Sequence, residues 1–311
     1  AEVTLSGDAR MGIISDFGGA DTAFTSRARV SFSLSGESDS GFSFGASFRA
    51  DNAGSASSGE AGSVWIEMSG FKLSMGDVDG AAAAAAGQVD GVSLTGLGDL
   101  NEISYIANGG YNGYLSDHNF FAFSGMTVTA DPSVLASYTA GALTIYASVN
   151  QLGYSYWDGI GTWESNAYAV GAAYAAGNYK LSIGYERHEE TDGVATLDAD
   201  NLVLGADATF GALTVKARLA EGGSVYDGNF DWQENSQWAL SATYVVDALT
   251  LTAFASSITL DNLDGYPDFV RDAYGLGAAY DLGGGASLVG GYAKNQTEDD
   301  SAFDLGLSFS F

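Results

Sequence analysis

The chain has 311 residues and a formal net charge of −28, from 39 acids against 11 bases, which disfavours binding to a nucleic-acid backbone. It has no Cys, so disulfide frameworks and thiolate metal sites are excluded, and no run of ~18 apolar residues, so no helix spans a membrane. Gly occurs 43 times and Pro twice, a balance that suits many tight turns between strands that need every ladder N–H.

The opening Ala-Glu-Val-Thr-Leu already reads as a strand, as expected of a chain whose signal peptide is absent or removed. Strict alternation then recurs along the sequence. In the first segment Val3, Leu5, Gly7, Ala9, Met11 and Ile13 share one face, and Glu2, Thr4, Ser6, Asp8 and Arg10 the other. The second sets Phe24, Ala28, Val30, Phe32 and Leu34 against Arg27, Arg29, Ser31, Ser33 and Ser35. A tight turn at Glu37 to Gly41 leads to Phe42, Phe44, Ala46 and Phe48, opposed by Ser43, Ser47, Arg49 and Asp51. Val64, Ile66 and Met68 then turn at Gly70 into Phe71, Leu73 and Met75, with Lys72 opposite.

Gly76 to Asp131 breaks the rhythm. A structureless stretch of that length inside a compact protein is uncommon and usually functional. It is rich in Gly and Ala, carries Asp77, Asp79, Asp90, Asp99 and Glu102, and contains no Lys or Arg. Alternation resumes at Val134 and continues through five hairpins, turning near Gly141, Gly177, Gly211, Asp247 and Gly283, to the closing run Phe303, Leu305, Leu307, Phe309, Phe311. The connections between these hairpins read as acidic loops, carrying Asp158 and Glu164, then Glu189, Glu190, Asp192 and Asp198, then Glu221, Asp227, Asp231 and Glu234, then Asp261, Asp264 and Asp268, and last Glu298, Asp299 and Asp300.

The segments number sixteen, with long connections after odd strands and short ones after even strands. That is the pattern of an antiparallel transmembrane β-barrel with both termini on the short-turn, periplasmic side. Sixteen strands ~4.8 Å apart and tilted ~40° enclose a radius of roughly 16 Å, too wide for side chains to fill. The polar face must line a wet lumen and the apolar face must meet lipid. Aromatics on the apolar face gather near the short turns (Phe42, Phe71, Tyr138, Tyr179, Phe210, Tyr244, Tyr280, Phe311) and near the long loops (Phe24, Tyr185, Trp238, Tyr292, Phe303), the two levels of interfacial girdles.

The strand count, the long third connection, the terminal alternation ending in Phe311, the opening Glu2-Val3-Thr4-Leu5-Ser6-Gly7 and the segment Met75-Gly76-Asp77-Val78-Asp79 together resemble one family. It is the sixteen-stranded general diffusion porins of Gram-negative bacteria, of the alphaproteobacterial, Rhodobacter-like type. The resemblance covers residues 1–311 as a single β-barrel domain. It implies an outer-membrane homotrimer in contact with lipid and lipopolysaccharide, a third loop (about 76–131) folded into the lumen, and passage of ions and small hydrophilic solutes.

Strand phase places Arg10, Arg27, Arg29, Arg49, Lys72, Lys180, Lys216 and Arg218 on the lumen face, and puts Arg187, Arg271 and Lys294 at loop borders. The first five come from strands one, two, three and five and are expected to form one basic patch on one side of the wall. A third loop folded inward is expected to face it with Asp77, Asp79, Asp90, Asp99 and Glu102. Opposed charges across a narrow aperture would set a transverse field for ions and dipolar solutes; the plainer alternative is that the arginines anchor the loop. No cofactor is required. Calcium is the candidate ion for the acidic loops, and Asp227-x-Asn229-x-Asp231 matches the first half of a calcium loop but lacks its later Gly and Glu.

An enzyme would need partners for His118 or His188, the two histidines, and neither has a nucleophile or metal-ligand pattern beside it. A substrate-selective channel, such as a sugar porin, would show aromatics along the lumen; Trp65, Tyr146 and Phe254 are the clear ones on strands, and they are scattered. A soluble acidic adhesin is the third alternative.

Overall fold

The computed structural model describes residues 1–18, 22–51, 62–107, 127–130, 133–155, 162–191, 196–226, 230–261 and 268–311. Its strands are β1 (Glu2–Ser15), β2 (Ala23–Glu37), β3 (Ser43–Asp51), β4 (Ser63–Met68), β5 (Phe71–Gly76), β6 (Thr127–Ala130), β7 (Ser133–Ala140), β8 (Leu143–Ser155) and β9 (Thr162–Ala176). They continue as β10 (Tyr179–Thr191), β11 (Thr196–Phe210), β12 (Leu213–Tyr226), β13 (Phe230–Val246), β14 (Leu249–Leu260), β15 (Phe269–Gly283), β16 (Ala286–Asn295) and β17 (Asp300–Ser310). Each pairs antiparallel with its neighbours, and β1 pairs with both β2 and β17, so the sheet closes on itself. β6 and β7 both pair with β8 and form one wall strand in two pieces. The seventeen segments are therefore a barrel of sixteen strands.

Closure matters because lipid offers no hydrogen-bond partner to a free strand edge. The seam is tied by the terminal residue: Phe311 donates its N–H to Gly7 at 2.9 Å and accepts the N–H of Gly7 at 3.1 Å. Most hairpins on the terminal side close in two residues. Gly141, Gly177 and Gly211 open three of these turns at φ near +60°, a region glycine enters without steric cost; Asp247 takes it in a fourth.

Over the middle of the strands the outward phase is apolar and largely exposed. All thirteen aromatics expected in the two girdles are exposed, from Phe24 to Phe311. The inward phase differs around the ring. On β9 to β17 it carries small or buried residues, among them Ala167, Ala169, Ala199, Val203, Ala220, Ala239, Ala273, Ala293 and Ala302.

Two expectations shift. Thr127–Ala130 is strand, so the third connection ends before Asp131; its β-branched alternation already matches β8. Several acids expected in loops lie on strands: Glu164 on β9, Glu189 and Glu190 on β10, Asp198 on β11, Glu221 on β12, Asp231 and Glu234 on β13, and Asp300 on β17. The hydrogen-bond ladder does not stop where the apolar face stops, because pairing continues in water once a hairpin is formed.

Candidate functional site

The described part of loop three, residues 76–107, lies inside the barrel. From Gly76 the chain enters a short helix, α1 (Ala81–Ala86), which packs against β8, β9, β10 and β11. Ala81, Ala82, Ala85 and Ala86 are buried. This approach depends on missing side chains in the wall. A Cβ at Gly184 would sit 2.5 Å from Ala82 Cβ, and one at Gly171 would sit 2.5 Å from the Ala81 carbonyl oxygen. Farther round, Val92 lies over Gly277 and Phe254, Ser93 over Gly291, and Leu94 over Gly306 and Gly12. The outgoing limb therefore follows the inner wall from β8 to β1. The chain then turns at a 3-10 segment, Leu97–Asp99, and comes back to Ala107 beneath β10.

The two limbs are bonded to each other. Gln88 donates Nε2–H to Ile103 O at 2.7 Å and accepts the Ile103 N–H at 3.0 Å. Asn101 donates to Val89 O at 2.9 Å, and the Tyr105 hydroxyl donates to Gly87 O at 2.6 Å. Burial pushes the Tyr105 phenol well above its ordinary pKa, so it stays a donor.

Wall side chains satisfy the loop backbone. Ser148 and Ser241 accept the N–H groups of Ala81 and Asp90 at 2.8 and 3.0 Å. Arg218 donates to Gly87 O at 2.9 Å, and Gln237 accepts the Ser104 N–H at 2.7 Å. Two carboxylates make the firmest catches. Asp304 accepts the N–H groups of Leu94 and Thr95 at 3.0 and 2.7 Å, and the Thr95 hydroxyl at 2.6 Å. Glu186, fully buried, accepts the Ala107 N–H at 2.9 Å, the Ile106 N–H at 3.4 Å and an Asn201 amide proton at 3.0 Å. An ionised carboxylate makes such bonds roughly twice as strong as a neutral acceptor does.

Sequence reasoning missed these anchors. The signal available was a lumen face of Ala and Gly interrupted by isolated polar side chains. Of the five expected basic residues, Arg10 reaches the described loop by a hydrogen bond from Nη1 to Leu94 O at 3.0 Å.

The expected basic residues occupy the arc from β1 to β5. Arg10 and Arg27 face each other across β1 and β2, and Arg29 lies opposite Asp8. Asp8 bridges Arg27 at 3.0 Å and Arg29 at 2.9 Å. Arg49 pairs with Asp51 at 2.6 Å. Lys72 stands two residues beyond the Ser69–Gly70 turn, its ammonium 4.9 Å from the Trp65 ring centroid. The arc is thus three groupings, each with a wall carboxylate, since Glu67 lies directly across the ladder from Lys72.

The five expected acids divide as well. Asp90 is turned to the wall, where Lys216 Nζ lies 2.5 Å from Oδ1 and Thr243 donates to Oδ2 at 2.9 Å. Asp79, Asp99 and Glu102 are exposed, and Asp77 is half-buried at the loop's root. Burial raises the Asp77 carboxyl above its ordinary value, against the pull of the Arg49 guanidinium. Burial also raises Asp79, and the charge of Asp77 adds to the effect. Asp79 reaches solvent, but the surrounding wall replaces part of the bulk water that would stabilise its charge.

Arg187, on β10, and Lys294, on β16, take the outward phase, where Asp198 and Glu189 flank the first and Asp299 pairs with the second at 2.5 Å. Asp227, Asn229 and His118 lie outside the described residues, and Asp231 falls at the start of β13. Among the described residues no group of three or more His, Asp or Glu is placed to hold a metal.

A profile described as Gram-negative porin matches residues 1–300. The chain belongs to the Gram-negative porin family. It is 36% identical to a porin of Rhodobacter capsulatus and 25% identical to a porin of Fuscovulum blasticum, each alignment covering both chains in full. A solved porin structure superposes with a TM-score of 0.79 at 35% identity over the whole of both chains. A mutant of the Rh. blastica porin superposes at 0.66 with 21% identity, a likeness of fold alone. This porin is therefore a multi-pass β-barrel of the outer membrane, and its relatives are channels rather than enzymes. Its closed wall, apolar outside and polar inside, is what a passage for water-soluble molecules requires.

Proposed function

We propose that this porin is a general diffusion channel for ions and small hydrophilic solutes, without enzymatic activity, and that its constriction is charged. One observation carries the reading: the described part of loop three lies along the β8-to-β1 wall and leaves the arc bearing Arg10, Arg27, Arg29, Arg49 and Lys72 as its counterpart. Asp77, Asp79, Asp99 and Glu102 are the loop acids on the solute side in this reading. Asp90, paired with Lys216, serves to hold the loop. Two of the three lumen-phase strand aromatics are not presented as a sugar track, since Phe254 is buried under the loop and Tyr146 packs in the cluster around Ala81.

We further propose that the outward face of β1 to β3 meets a second copy of the chain in a trimer. Gly7, Ala9, Ala28 and Ala50 leave a shallow apolar depression of about 430 Å³ between Leu5, Val30 and Phe311. β3, β4 and β5 are also short, at nine, six and six residues. Calcium at the β12–β13 connection rests on the Asp227, Asn229, Asp231 spacing alone, and unchanged thermal stability after chelation would count against it.

The deciding experiment is liposome swelling over sugars of increasing size, paired with planar-bilayer conductance. A smooth size cut-off with ohmic conductance supports a general channel. One sugar passing out of size order, or no conductance, overturns it.

A further inference from the structure

We infer that Asp8 sets the ion preference of the channel by limiting the net positive charge of the arginine arc. The inference rests on the diffusion-channel reading and names a wall residue that tunes which ions pass.

Asp8 lies in the lumen phase of β1, directly across the ladder from Arg29, with Arg10 two residues on and facing Arg27. Its Oδ1 accepts from Arg27 Nη2 at 3.0 Å and from Arg29 Nε at 3.1 Å, and Oδ2 accepts from Arg29 Nε at 2.9 Å. The Asp8 side chain keeps 37% of its surface exposed, so its charge is presented to lumen water. Asp8 is the carboxylate in direct ion-pair contact with both Arg27 and Arg29, so removing its charge makes this part of the arc more positive by one, with Asp51, across the ladder from Arg29 and paired to Arg49, and Asp304 unchanged.

Nearby carboxylates do not neutralise Arg27 and Arg29 by contact, and the solute-facing loop acids act from across the aperture. Asp90 pairs with Lys216, and Asp77 is coupled to Arg49. Asp304, whose charge reaches Arg10, has both oxygens bonded to Leu94 and Thr95. Asp8 also acts on donor geometry. It draws Arg27 Nη2 and Arg29 Nε back along the wall, so fewer guanidinium donors are free to hold a passing anion in the forked geometry that anions favour. A fixed charge acts over ~8–10 Å at physiological salt, so a carboxylate on the lining changes the potential an ion meets beside it.

The test is the reversal potential across a planar bilayer in a potassium chloride gradient, for the wild type, Asp8→Asn and Asp8→Glu. Asp8→Asn is nearly isosteric, and its single-channel conductance reports whether it has assembled. It is expected to lower the cation-to-anion permeability ratio by about two-fold at 0.1 M salt. That shift should shrink at 1 M, where the screening length is about 3 Å. Asp8→Glu is expected to stay near wild type. A conducting Asp8→Asn channel with the wild-type ratio at 0.1 M overturns the inference. A wild-type protein that inserts and conducts nothing overturns the channel reading, and the inference with it.

Discussion

Glu186 accepts the backbone N–H of Ala107 at 2.9 Å, a wall carboxylate closing on the returning limb of loop three. Asp304 does the same for Leu94 and Thr95 at the loop's far end. Each catches two successive amides, and neither forms a salt bridge among the described residues. Their energetic role is to satisfy loop N–H groups that would otherwise be buried without partners, at about 1–3 kcal/mol each.

Removing both clasps should loosen the loop while the wall persists. Glu186→Ala with Asp304→Ala is expected to give channels with larger mean conductance, more open-channel noise and a higher size cut-off in liposome swelling. Wild-type noise and cut-off in the double variant would mean that the serines, Gln237 and Arg218 suffice.

The glycine bed makes a steric prediction. Gly184→Val places a side chain where Ala82 Cβ lies 2.5 Å from the new Cβ, so α1 must lift from β10. The barrel ladder is untouched, and the outward face is unchanged. Limited proteolysis is expected to cut within residues 77–107 much faster than in the wild type, with the β-sheet circular dichroism retained. Equal protection in both proteins would show that α1 does not need that contact.

Acidification should act first on the loop's root. Asp77 and Asp79 both have carboxyls raised above the ordinary value of 3.8, mainly by burial. A raised carboxyl binds its proton more tightly in the folded barrel than in the unfolded chain. Its contribution to stability is therefore fully present below the unfolded pKa and is lost as pH rises through the folded one. For transport the consequence runs the other way. Cation preference should begin to fall, as pH is lowered, before ordinary aspartates protonate. Reversal potentials measured across the acid range check this, and Asp77→Asn with Asp79→Asn should remove the early part of the decline.

The outward phase can be tested by one charge. Leu204, exposed on β11 between Ile183 and Leu219, lies well inside the apolar band. Leu204→Arg is expected to destabilise the barrel in lipid by about 2–4 kcal/mol, the cost of a cation near mid-membrane. Urea unfolding from lipid vesicles measures it. A change within error would mean that residue 204 does not meet hydrocarbon.

Much of the wall was legible because lipid on one side and water on the other impose a period of two that composition cannot hide. Tyr179, Leu181, Ile183 and Tyr185 face outward as their alternation requires, and Ser182, Gly184 and Glu186 face inward. The position and acidity of loop three were legible as a break in that period. Its attachment was not. Glu186, Gln237 and Ser241 share the lumen phase with residues that touch only water, and phase says nothing about which of them the loop will cross. Asp90 was grouped with the solute-facing acids for the same reason; its partner Lys216 is 126 residues away. Glu189 and Asp198 were read as loop residues because charge marks the edge of lipid, whereas the strand ladder runs past that edge.

The Asp304 clasp also dictates an order of events. It joins residues 209 and 210 positions apart, and Asp304 sits on the last strand of the chain. Leu94 rests on Gly12 and Gly306, so its seat comes from both sides of the seam. The tip of the loop has no place to dock until the first and last strands have met. Contacts of such long sequence separation form late, after the chain between them has been organised. A half-built barrel must therefore pass through a stage in which its bore lacks the plug that later narrows it. Seam closure and the seating of the loop tip become one step, with Phe311 closing the seam at Gly7 and Asp304, farther along the same strand opposite Ile14, receiving the loop.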